Sequence, residues 1–532
     1  MKDQWRRLAT CSRVATRSTF VNGLCSARNW QLFLIIIVAL TLRLWGIDFG
    51  LPFLYHPDEP NVAGIALSIF RTRDLNPHFF NYPSLTFYAN AAAYVPYFLG
   101  GRAFGVLKSA SDIPFPELLG MGVGKSLMPT QFLLGRALTA TVGVLTVFLV
   151  YFVGARVGNR RVGLLSAILL AVSPTHVSNS HFITPDTFVT FFMLLSFLLS
   201  CQILLKGDLR FYVLASVGAG LAMGCKYNGG LALLPLMVAH FMGTGLTCAR
   251  RKELCIALFL SGLVFVVTTP YSVLDWPHFL QGVRSAAQEY STGHAGMEGD
   301  ALAWYSHYLL RFEGLVAVLA VAHCVIAIRT GRRNELLVTA QAGVYLAFIS
   351  RFVVRNDRTL LPALPFVVIL AALLLDRLIV RAGTVPFRGR SHVWRWLALA
   401  ATGVVLTWPL SSTAVSNARL SNVDGRELAR VWINNQIGRG SRIAAESYSP
   451  FLDPAQFDVK YVGRVIDEGP DWYRINGFEY LVFSQGMYGR FFREPDRYQL
   501  EVSLYDTFFR VFPEIARFNA NDYEVRVLRV ED

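Results

Sequence analysis

The chain has 532 residues, of which 53% are hydrophobic and 16% are charged, and its formal net charge at pH 7 is +14. This composition is more apolar than that of a soluble domain, and apolar runs repeatedly reach bilayer-spanning length. The positive residues gather in short loops between these runs, where they set orientation, so nucleic acid is excluded as a partner. The seven cysteines show no metal-ligand spacing and imply no disulfide framework.

The N-terminal residues 1–30 are basic and rich in Ser and Thr, and an apolar run follows at residues 31–47. A transit peptide and a cytoplasmic tail before a signal anchor both fit this composition. No small-x-small cleavage site follows the run and many more spans come later, which favours the tail.

Two adjacent carboxylates, Asp58 and Glu59, lie in the first loop after this run. Asp58 fits a helix N-cap, with Glu59 and Pro60 opening the amphipathic stretch that follows. Capping does not explain a second acid in an acid-poor membrane half. Ionisable side chains at the membrane are functional candidates, so we expect the pair to serve chemistry.

The distribution of Lys and Arg predicts the membrane topology. We place the apolar run at residues 85–104 in the interface, because counting it as a span would invert the charge pattern against the basic N-terminus. The N-terminus is then cytoplasmic and the acid pair lies on the outer face. The predicted spans are eleven: 31–47, 131–154, 162–175, 184–205, 211–226, 229–247, 254–271, 303–328, 336–352, 358–380 and 392–412.

The composition changes beyond residue 415. Residues 416–532 contain no spanning run, and helix-like and strand-like patterns alternate with Gly, Pro and Asn turns. We therefore expect an all-α polytopic membrane protein with interfacial helices in its first outer loop and a small C-terminal α/β domain outside. The predicted parts are a cytoplasmic tail at 1–30, a transmembrane domain at 31–415 and a soluble outer domain at 416–532.

The second predicted outer loop contains His176 and His181 and ends at Asp186. Thr184 and Pro185 before this acid also fit an ordinary helix start, so Asp186 is either a site residue or a helix-opening acid. With His294 in a later outer loop, the two histidines could hold a divalent cation, although no tight ligand spacing is present. No cofactor is otherwise indicated.

Basic residues on the outer side run against the topological trend. Lys226 follows one span and could simply extend to the interface, but Arg355 and Arg358 lie in another outer loop and Arg136 opens the second span. Guanidinium groups bind phosphate oxygens in bidentate fashion, so these residues indicate an anionic ligand such as a lipid phosphate. Alternatively, Asp357 pairs with one of the arginines.

A carboxylate pair with phosphate-binding cations fits glycosyl transfer from a lipid-phosphate sugar. A carboxylate activates an acceptor hydroxyl, and the cations stabilise the departing phosphate. A single displacement would invert the anomeric carbon.

Short motifs follow one another in a specific order over residues 31–380, and in this order they resemble the GT-C membrane glycosyltransferases of the protein-mannosyltransferase and aminoarabinose-transferase type. The resemblance implies a GT-C fold, inverting transfer from a polyprenyl-phosphate sugar, Asp58 as base, Glu59 in support and Asp186 as a second acid. It also implies Lys226 and the Arg358 loop near the lipid phosphate. The motifs are Asp58-Glu59, Tyr82-Pro83-Ser84, Gly135-Arg136, residues 154–163, Ser173-Pro174 with His176 and Asp186, Gly220 with Gly224, Lys226-Tyr227-Asn228, and Arg358 with Pro362 and Pro365.

The predicted protein is thus a bacterial inner-membrane enzyme that transfers a sugar from a polyprenyl-phosphate donor to a lipid, glycan or protein acceptor. A transporter or flippase of a lipid-linked or anionic substrate is the alternative. Such a protein should show internal repeats and mid-bilayer sites, whereas the polar residues here lie at one face. A non-catalytic assembly protein would leave the acid pair and outer arginines without a task.

Overall fold

The structure is a computed structural model that describes residues 30–244, 250–384 and 391–531. A helical bundle precedes a small domain built on a five-stranded sheet. The helices before the small domain are α1 (Trp30–Leu44), α2 (Glu59–Thr72), α3 (Leu85–Ala103), α4 (Thr130–Val157), α5 (Arg160–Val172), α6 (Pro174–Ser178), α7 (Asp186–Lys206), α8 (Leu209–Cys225), α9 (Leu233–Thr244), α10 (Arg251–Thr268), α11 (Tyr271–Leu274), α12 (Trp276–Thr292), α13 (Ala301–Phe312), α14 (Leu315–Thr330), α15 (Arg333–Ile349), α16 (Asp357–Leu360), α17 (Leu364–Thr384) and α18 (Ser391–Leu420).

The bundle is held together by apolar helix faces. Helices α4, α7 and α17 form its centre, and residues such as Val150, Phe197 and Phe366 are fully buried there. The rings of Phe197 and Phe366 meet edge to face with centroids 4.9 Å apart. Helices that are apolar on all sides bury themselves in a bundle or a bilayer, as the sequence predicts.

Three helical segments in the described part of the chain are long and apolar enough to cross a membrane: Thr130–Val157, Asp186–Lys206 and Asp357–Ala382. Each of the eleven predicted spans coincides with a helix or a helix pair, but most of these helices are shorter than the three strong candidates. The apolar helices establish an integral membrane protein, and the count of eleven stays a prediction.

The predicted span at residues 303–328 is wrong as a single helix. The helix direction bends by 119° between α13 and α14, at Glu313 and Gly314. Gly314 has φ +58°, a conformation that L side chains rarely adopt, and the buried Glu313 accepts a hydrogen bond of 2.8 Å from the Ser173 hydroxyl. The bend therefore depends on a glycine and on a contact with a distant loop.

The segment between α1 and α4, residues 45–129, is the loop that the sequence predicts on the outer face, and it is called the first outer loop below. It folds into a layer over one end of the bundle. Helices α2 and α3 pack through Leu67, Phe87 and Tyr94, all fully buried. The loop also contains a hairpin that the sequence did not indicate, formed by strands β1 (Glu117–Gly120) and β2 (Val123–Lys125). The run predicted to be interfacial forms α3, which carries Pro96 in its interior.

The C-terminal domain confirms the predicted α/β composition. Its sheet has the strand order β4-β3-β5-β7-β6, with the β4, β3 and β5 strands parallel and the other pairings antiparallel. The last bundle helix ends at Leu420, past the predicted boundary at 415. The elements are α19 (Gly425–Gln436), β3 (Arg442–Glu446), β4 (Asp458–Val462), α20 (Pro470–Ile475), β5 (Tyr480–Ser484), α21 (Gly489–Phe492), α22 (Gln499–Val511), β6 (Glu514–Ala520) and β7 (Tyr523–Arg529).

Candidate active site

Asp58 occupies the N-cap position of α2 but does not act as its cap. The cap residue has helical dihedral angles (φ −87°, ψ −25°), and its side chain accepts no capping hydrogen bond. The carboxylate instead forms an ion pair with Arg358, and about one fifth of each side chain is exposed, 20% for Asp58 and 19% for Arg358. Asp58 is therefore ion-paired and accessible, as a reactive carboxylate must be.

Glu59 has the opposite environment, although it is the next residue. Its side chain is fully buried and forms a bidentate pair with Arg136, at 2.8 and 2.7 Å, and it also accepts the backbone N–H of Ile183 at 3.1 Å. The remaining guanidinium nitrogen of Arg136 donates to the carbonyls of Ile47 and Phe49. A charge-assisted bidentate pair of this kind fixes the first outer loop onto α4.

Arg136 is consequently not placed as a phosphate ligand. Its side chain is 1% exposed, and the pair with Glu59 and the two carbonyls take its donor groups. This geometry corrects the prediction that Arg136 binds the donor phosphate. Its guanidinium is already paired with Glu59, the second residue of the acid pair.

Arg358 is oriented by the short helix α16. The Asn356 side chain accepts the backbone N–H of Arg358 at 3.1 Å and so caps this helix. Asp357 does not pair with an arginine; it accepts longer hydrogen bonds of 3.4 Å from the Asn179 amide and the Tyr308 hydroxyl. Arg358 is therefore left to Asp58.

Asp186 and Lys226 form a second ion pair, with 2.6 Å between Nζ and Oδ1. Both are almost fully buried, at 1% and 4% exposure, so neither is a lysine that reaches into solvent. Asp186 opens α7 and Lys226 directly follows α8. The motif that contains Asp186 and the motif that contains Lys226 are separate in the sequence, and they are in contact in the fold.

A cavity of about 200 Å³ lies beside Lys226. Its lining is mostly apolar and includes the polar side chains of Lys226, Asn228 and Thr359. Within the described structure the side-chain oxygen Asn228 Oδ1 is buried without a hydrogen-bond partner. Thr359 also adjoins Arg358, so the cavity approaches the Asp58 ion pair. The lining residues are Asn81, Tyr82, Lys226, Tyr227, Asn228, Val283, Ala286, Ala287, Tyr290, Phe348, Ile349, Phe352 and Thr359.

Arg355 points away from this cavity. Its guanidinium is 2.6 Å from the carboxylate of Glu494 in the C-terminal domain, and its Nε donates weakly to the Met297 carbonyl at 3.5 Å. The predicted role in binding the donor phosphate is therefore corrected to one in attaching the C-terminal domain to the bundle.

The three predicted metal-binding histidines are not brought together. His176 Nδ1 is 2.8 Å from the Arg43 guanidinium, and His181 is bonded to the carbonyls of Val177 and Trp45. His294 lies in the loop after α12. No group of three or more His, Cys, Asp or Glu side chains able to hold a metal ion occurs in residues 30–244, 250–384 and 391–531. The predicted site is corrected accordingly.

His56 is a site residue that the sequence analysis did not single out. Its ring stacks on Phe182 at 4.4 Å, and its Nδ1 faces the backbone N–H of Asp58 at 3.4 Å. Burial lowers the pKa of His56 to about 4, opposed by Glu59 and assisted by Arg358 and Arg136. A neutral imidazole can accept this N–H. The sequence feature that could have identified His56 is its position two residues before Asp58.

Comparisons with known proteins point to one family and one fold. Residues 124–273 match the family described as dolichyl-phosphate-mannose-protein mannosyltransferase, a range that contains Arg136, Asp186 and Lys226. Comparison with curated protein sequences gives no match.

Three solved structures show the same fold. ArnT from Cupriavidus metallidurans in the apo state has a TM-score of 0.52 at 16% identity, covering 94% of this chain and 98% of that chain. The same protein bound to undecaprenyl phosphate has a TM-score of 0.51 at 16% identity, and the match covers 94% of this chain and 98% of that chain. The oligosaccharyltransferase AglB from Archaeoglobus fulgidus, in complex with an inhibitory peptide and a dolichol-phosphate, has a TM-score of 0.55 at 13% identity. The match covers 89% of this chain and 72% of that chain.

The fold and the family match agree with the resemblance seen in the sequence motifs. This integral membrane protein has the fold of the GT-C membrane glycosyltransferases of the mannosyltransferase and ArnT type.

Proposed function

We propose that this protein is an inverting glycosyltransferase that moves a sugar from a polyprenyl-phosphate donor to an acceptor hydroxyl at the outer face of the membrane. The observation that carries the proposal is a mostly apolar cavity that has Lys226 in its wall and that approaches the Asp58–Arg358 pair through Thr359. The fold of ArnT bound to undecaprenyl phosphate supports a lipid-linked donor.

The donor phosphate binds beside Lys226 in this proposal. Lys226 supplies a cation there, and the Thr359 hydroxyl in the cavity wall can donate a hydrogen bond to a phosphate oxygen. The apolar walls suit the first isoprene units of the lipid. A buried cation is most effective at this position, because charge that develops on a departing phosphate is poorly stabilised in an apolar setting.

Asp58 acts as the base. It takes the proton from the acceptor hydroxyl while the acceptor oxygen attacks the anomeric carbon, and the bond from that carbon to the phosphate oxygen breaks. The electron pair leaves with the lipid phosphate, which Lys226 and Arg358 stabilise. One displacement inverts the anomeric configuration without a covalent enzyme intermediate. Arg358 pairs with Asp58 and orients this carboxylate until the acceptor arrives.

Asp186 supports the reaction indirectly. Its 2.6 Å pair with Nζ holds Lys226 at the cavity wall, because a buried ammonium without a counter-ion would lose its proton or leave the site. Glu59 likewise supports Asp58 by attaching the start of α2 to Arg136.

The charged residues at the two ends of the bundle support the proposed orientation. Asp58 and Lys226 lie at the end that carries the C-terminal domain. At the opposite end, Arg161 pairs with Asp376 and Arg377 pairs with Glu335. An excess of Arg in the loops of that end is typical of the cytoplasmic side.

The proposal is tested with Asp58→Asn in the purified full-length chain, using a panel of undecaprenyl-phosphate hexoses and pentoses and an extract of cell envelopes as acceptor. We expect the variant to lose transfer by roughly 10²- to 10⁴-fold, the usual contribution of a general base, with an unchanged melting temperature. Asp48→Asn is the matched control, because Asp48 is an exposed acid of the same loop.

Undiminished transfer by Asp58→Asn would remove Asp58 from the mechanism. Absence of transfer by the wild type with every donor would contradict the enzyme assignment and favour a transporter of a lipid-linked substrate.

A further inference from the structure

Tyr448 of the C-terminal domain contacts the loop that carries Asp58. It follows the carboxyl end of β3 by two residues and has φ +66°, a left-handed conformation that is uncommon for a bulky residue. Residues held in such conformations cluster at functional sites when the surrounding structure fixes them, so the contacts of Tyr448 require an explanation.

Three hydrogen bonds fix the backbone of Tyr448. Its N–H donates to the carbonyl of Met121 in the β1–β2 turn at 3.3 Å. Its carbonyl accepts from the Ser484 hydroxyl at 3.0 Å and from the Tyr523 hydroxyl at 2.9 Å. The residue is therefore attached both to its own domain and to the first outer loop, the loop that carries Asp58.

The ring of Tyr448 and Pro57, the residue before Asp58, both flank Gly122. A methyl group added at Gly122 would lie 3.4 Å from the Cβ of Pro57 and 3.6 Å from the Tyr448 ring. The Arg490 guanidinium lies 4.8 Å from the ring centroid. On the other side a Cβ at Gly486 would come within 2.9 Å of the Tyr448 Cβ, so the glycine at this position makes room for Tyr448.

The hydroxyl of Tyr448 is available to a ligand. It interacts electrostatically with Arg358, the ion-pair partner of Asp58. None of the described residues forms a hydrogen bond with this hydroxyl, although the Tyr448 backbone is fully used. An aromatic ring with a free hydroxyl next to a carboxylate base suits the binding of a hydroxyl-bearing molecule.

We propose that Tyr448 binds the acceptor and holds its hydroxyl at Asp58, so that the C-terminal domain completes the active site. The inference rests on the proposed glycosyl transfer. The donor approaches through the cavity at Lys226. Tyr448 and Arg490 belong to the C-terminal domain, and Tyr448 flanks Gly122 together with Pro57 of the first outer loop. The C-terminal domain then selects the acceptor, and the bundle binds the donor.

The test uses Tyr448→Ala and Tyr448→Phe in the full-length chain in nanodiscs. The donor is the undecaprenyl-phosphate sugar that the wild type accepts best, and cell-envelope extract is titrated as the acceptor. We expect Tyr448→Ala to raise the apparent acceptor KM by at least about tenfold, the range of one or two lost polar and aromatic contacts. Tyr448→Phe should fall between wild type and Tyr448→Ala.

Donor binding separates this role from a structural one. The stabilisation of each variant against heat by undecaprenyl phosphate should equal that of the wild type, since the Lys226 cavity is untouched. Tyr480→Phe is the matched control, because Tyr480 is a partly exposed tyrosine at the amino end of the central strand β5, the end of the sheet away from Tyr448.

If the wild type is active and the acceptor KM of Tyr448→Ala lies within twofold of the wild-type value, the role of Tyr448 is overturned and the proposed function is not. Parallel loss of donor binding, acceptor binding and melting temperature would also overturn it, since that pattern describes a folding contact. A wild type without transfer from any donor would overturn the proposed function itself, and the role of Tyr448 with it.

Discussion

The two acids of the first outer loop differ because of what lies around each carboxylate. Glu59 is fully buried against Arg136, and removing one partner of a buried pair of this kind typically costs about 3–5 kcal/mol. Asp58 is partly exposed beside Arg358, where an ionised carboxylate can meet a substrate. Adjacent residues at a helix start point in different directions, so Glu59 attaches its loop to the bundle, whereas Asp58 is the acid that the proposed mechanism uses.

Replacing Lys226 by Met should raise the donor KM with little change in the acceptor KM. A charge-assisted hydrogen bond contributes about 1.5–3 kcal/mol, so the expected increase is roughly 10- to 150-fold. Because the substitution also leaves Asp186 buried without a partner, the variant is combined with Asp186→Asn. Steady-state kinetics with varied donor concentration measure the effect.

The matched control for Lys226 is Lys108→Met, since Lys108 is an exposed lysine of the first outer loop. A donor KM equal to that of the wild type in the Lys226 double variant, with normal folding, would contradict the assignment of this cavity to the donor.

The C-terminal sheet contains a buried acid at the end of β3. Glu446 is fully buried and accepts the Ser484 N–H at 2.6 Å and the Tyr505 hydroxyl at 3.1 Å. Burial raises the pKa of Glu446 to about 8 from an ordinary value of 4.5, against the effect of its hydrogen bonds. The strand that ends in Glu446 is the same strand that carries Tyr448 into the site.

The stability of this domain should therefore fall as the pH rises from about 4.5 to about 8. In that window the unfolded chain releases the Glu446 proton and the folded chain retains it, so alkali favours unfolding. Melting temperatures of the full-length chain between pH 5 and pH 8.5 measure the effect. Glu446→Gln should flatten the dependence, and the exposed Glu468→Gln should not; an equal slope in wild type and Glu446→Gln would contradict the assignment.

The C-terminal domain and the bundle are joined over the first outer loop and the loop before α16. Arg426 lies between the rings of Tyr55 and Tyr523, at 3.9 and 4.1 Å from their centroids. Arg355 pairs with Glu494, and the Tyr498 hydroxyl donates to Glu298 at 2.7 Å. These contacts hold Tyr448 at the first outer loop, so docking and acceptor binding should be coupled.

Arg355→Glu should weaken this docking by about 1 kcal/mol, the upper part of the range for a partly exposed pair. We expect a higher acceptor KM, faster limited proteolysis of the loop that contains Glu298, and an unchanged donor KM. The double variant Arg355→Glu with Glu494→Arg should recover part of the loss. A higher donor KM in the single variant would instead support Arg355 as a phosphate ligand.

The amino-acid sequence by itself determined the class of protein and much of its layout. Apolar runs of bilayer length, the side on which Arg gathers and the change in composition near residue 415 depend on local chemistry, so they are readable without a fold. The order of the motifs around Asp58, Asp186 and Lys226 carried the resemblance to GT-C enzymes for the same reason.

Only the tertiary structure decided which charges meet. Arg136 and Arg355 have the same chemistry as Arg358, but one is taken by Glu59, the second by Glu494, and the third faces Asp58. Their partners lie far away in the chain, and no local pattern encodes such pairs. The bend at Gly314 and the approach of Tyr448 to Gly122 were hidden for the same physical reason: each depends on contacts between distant segments.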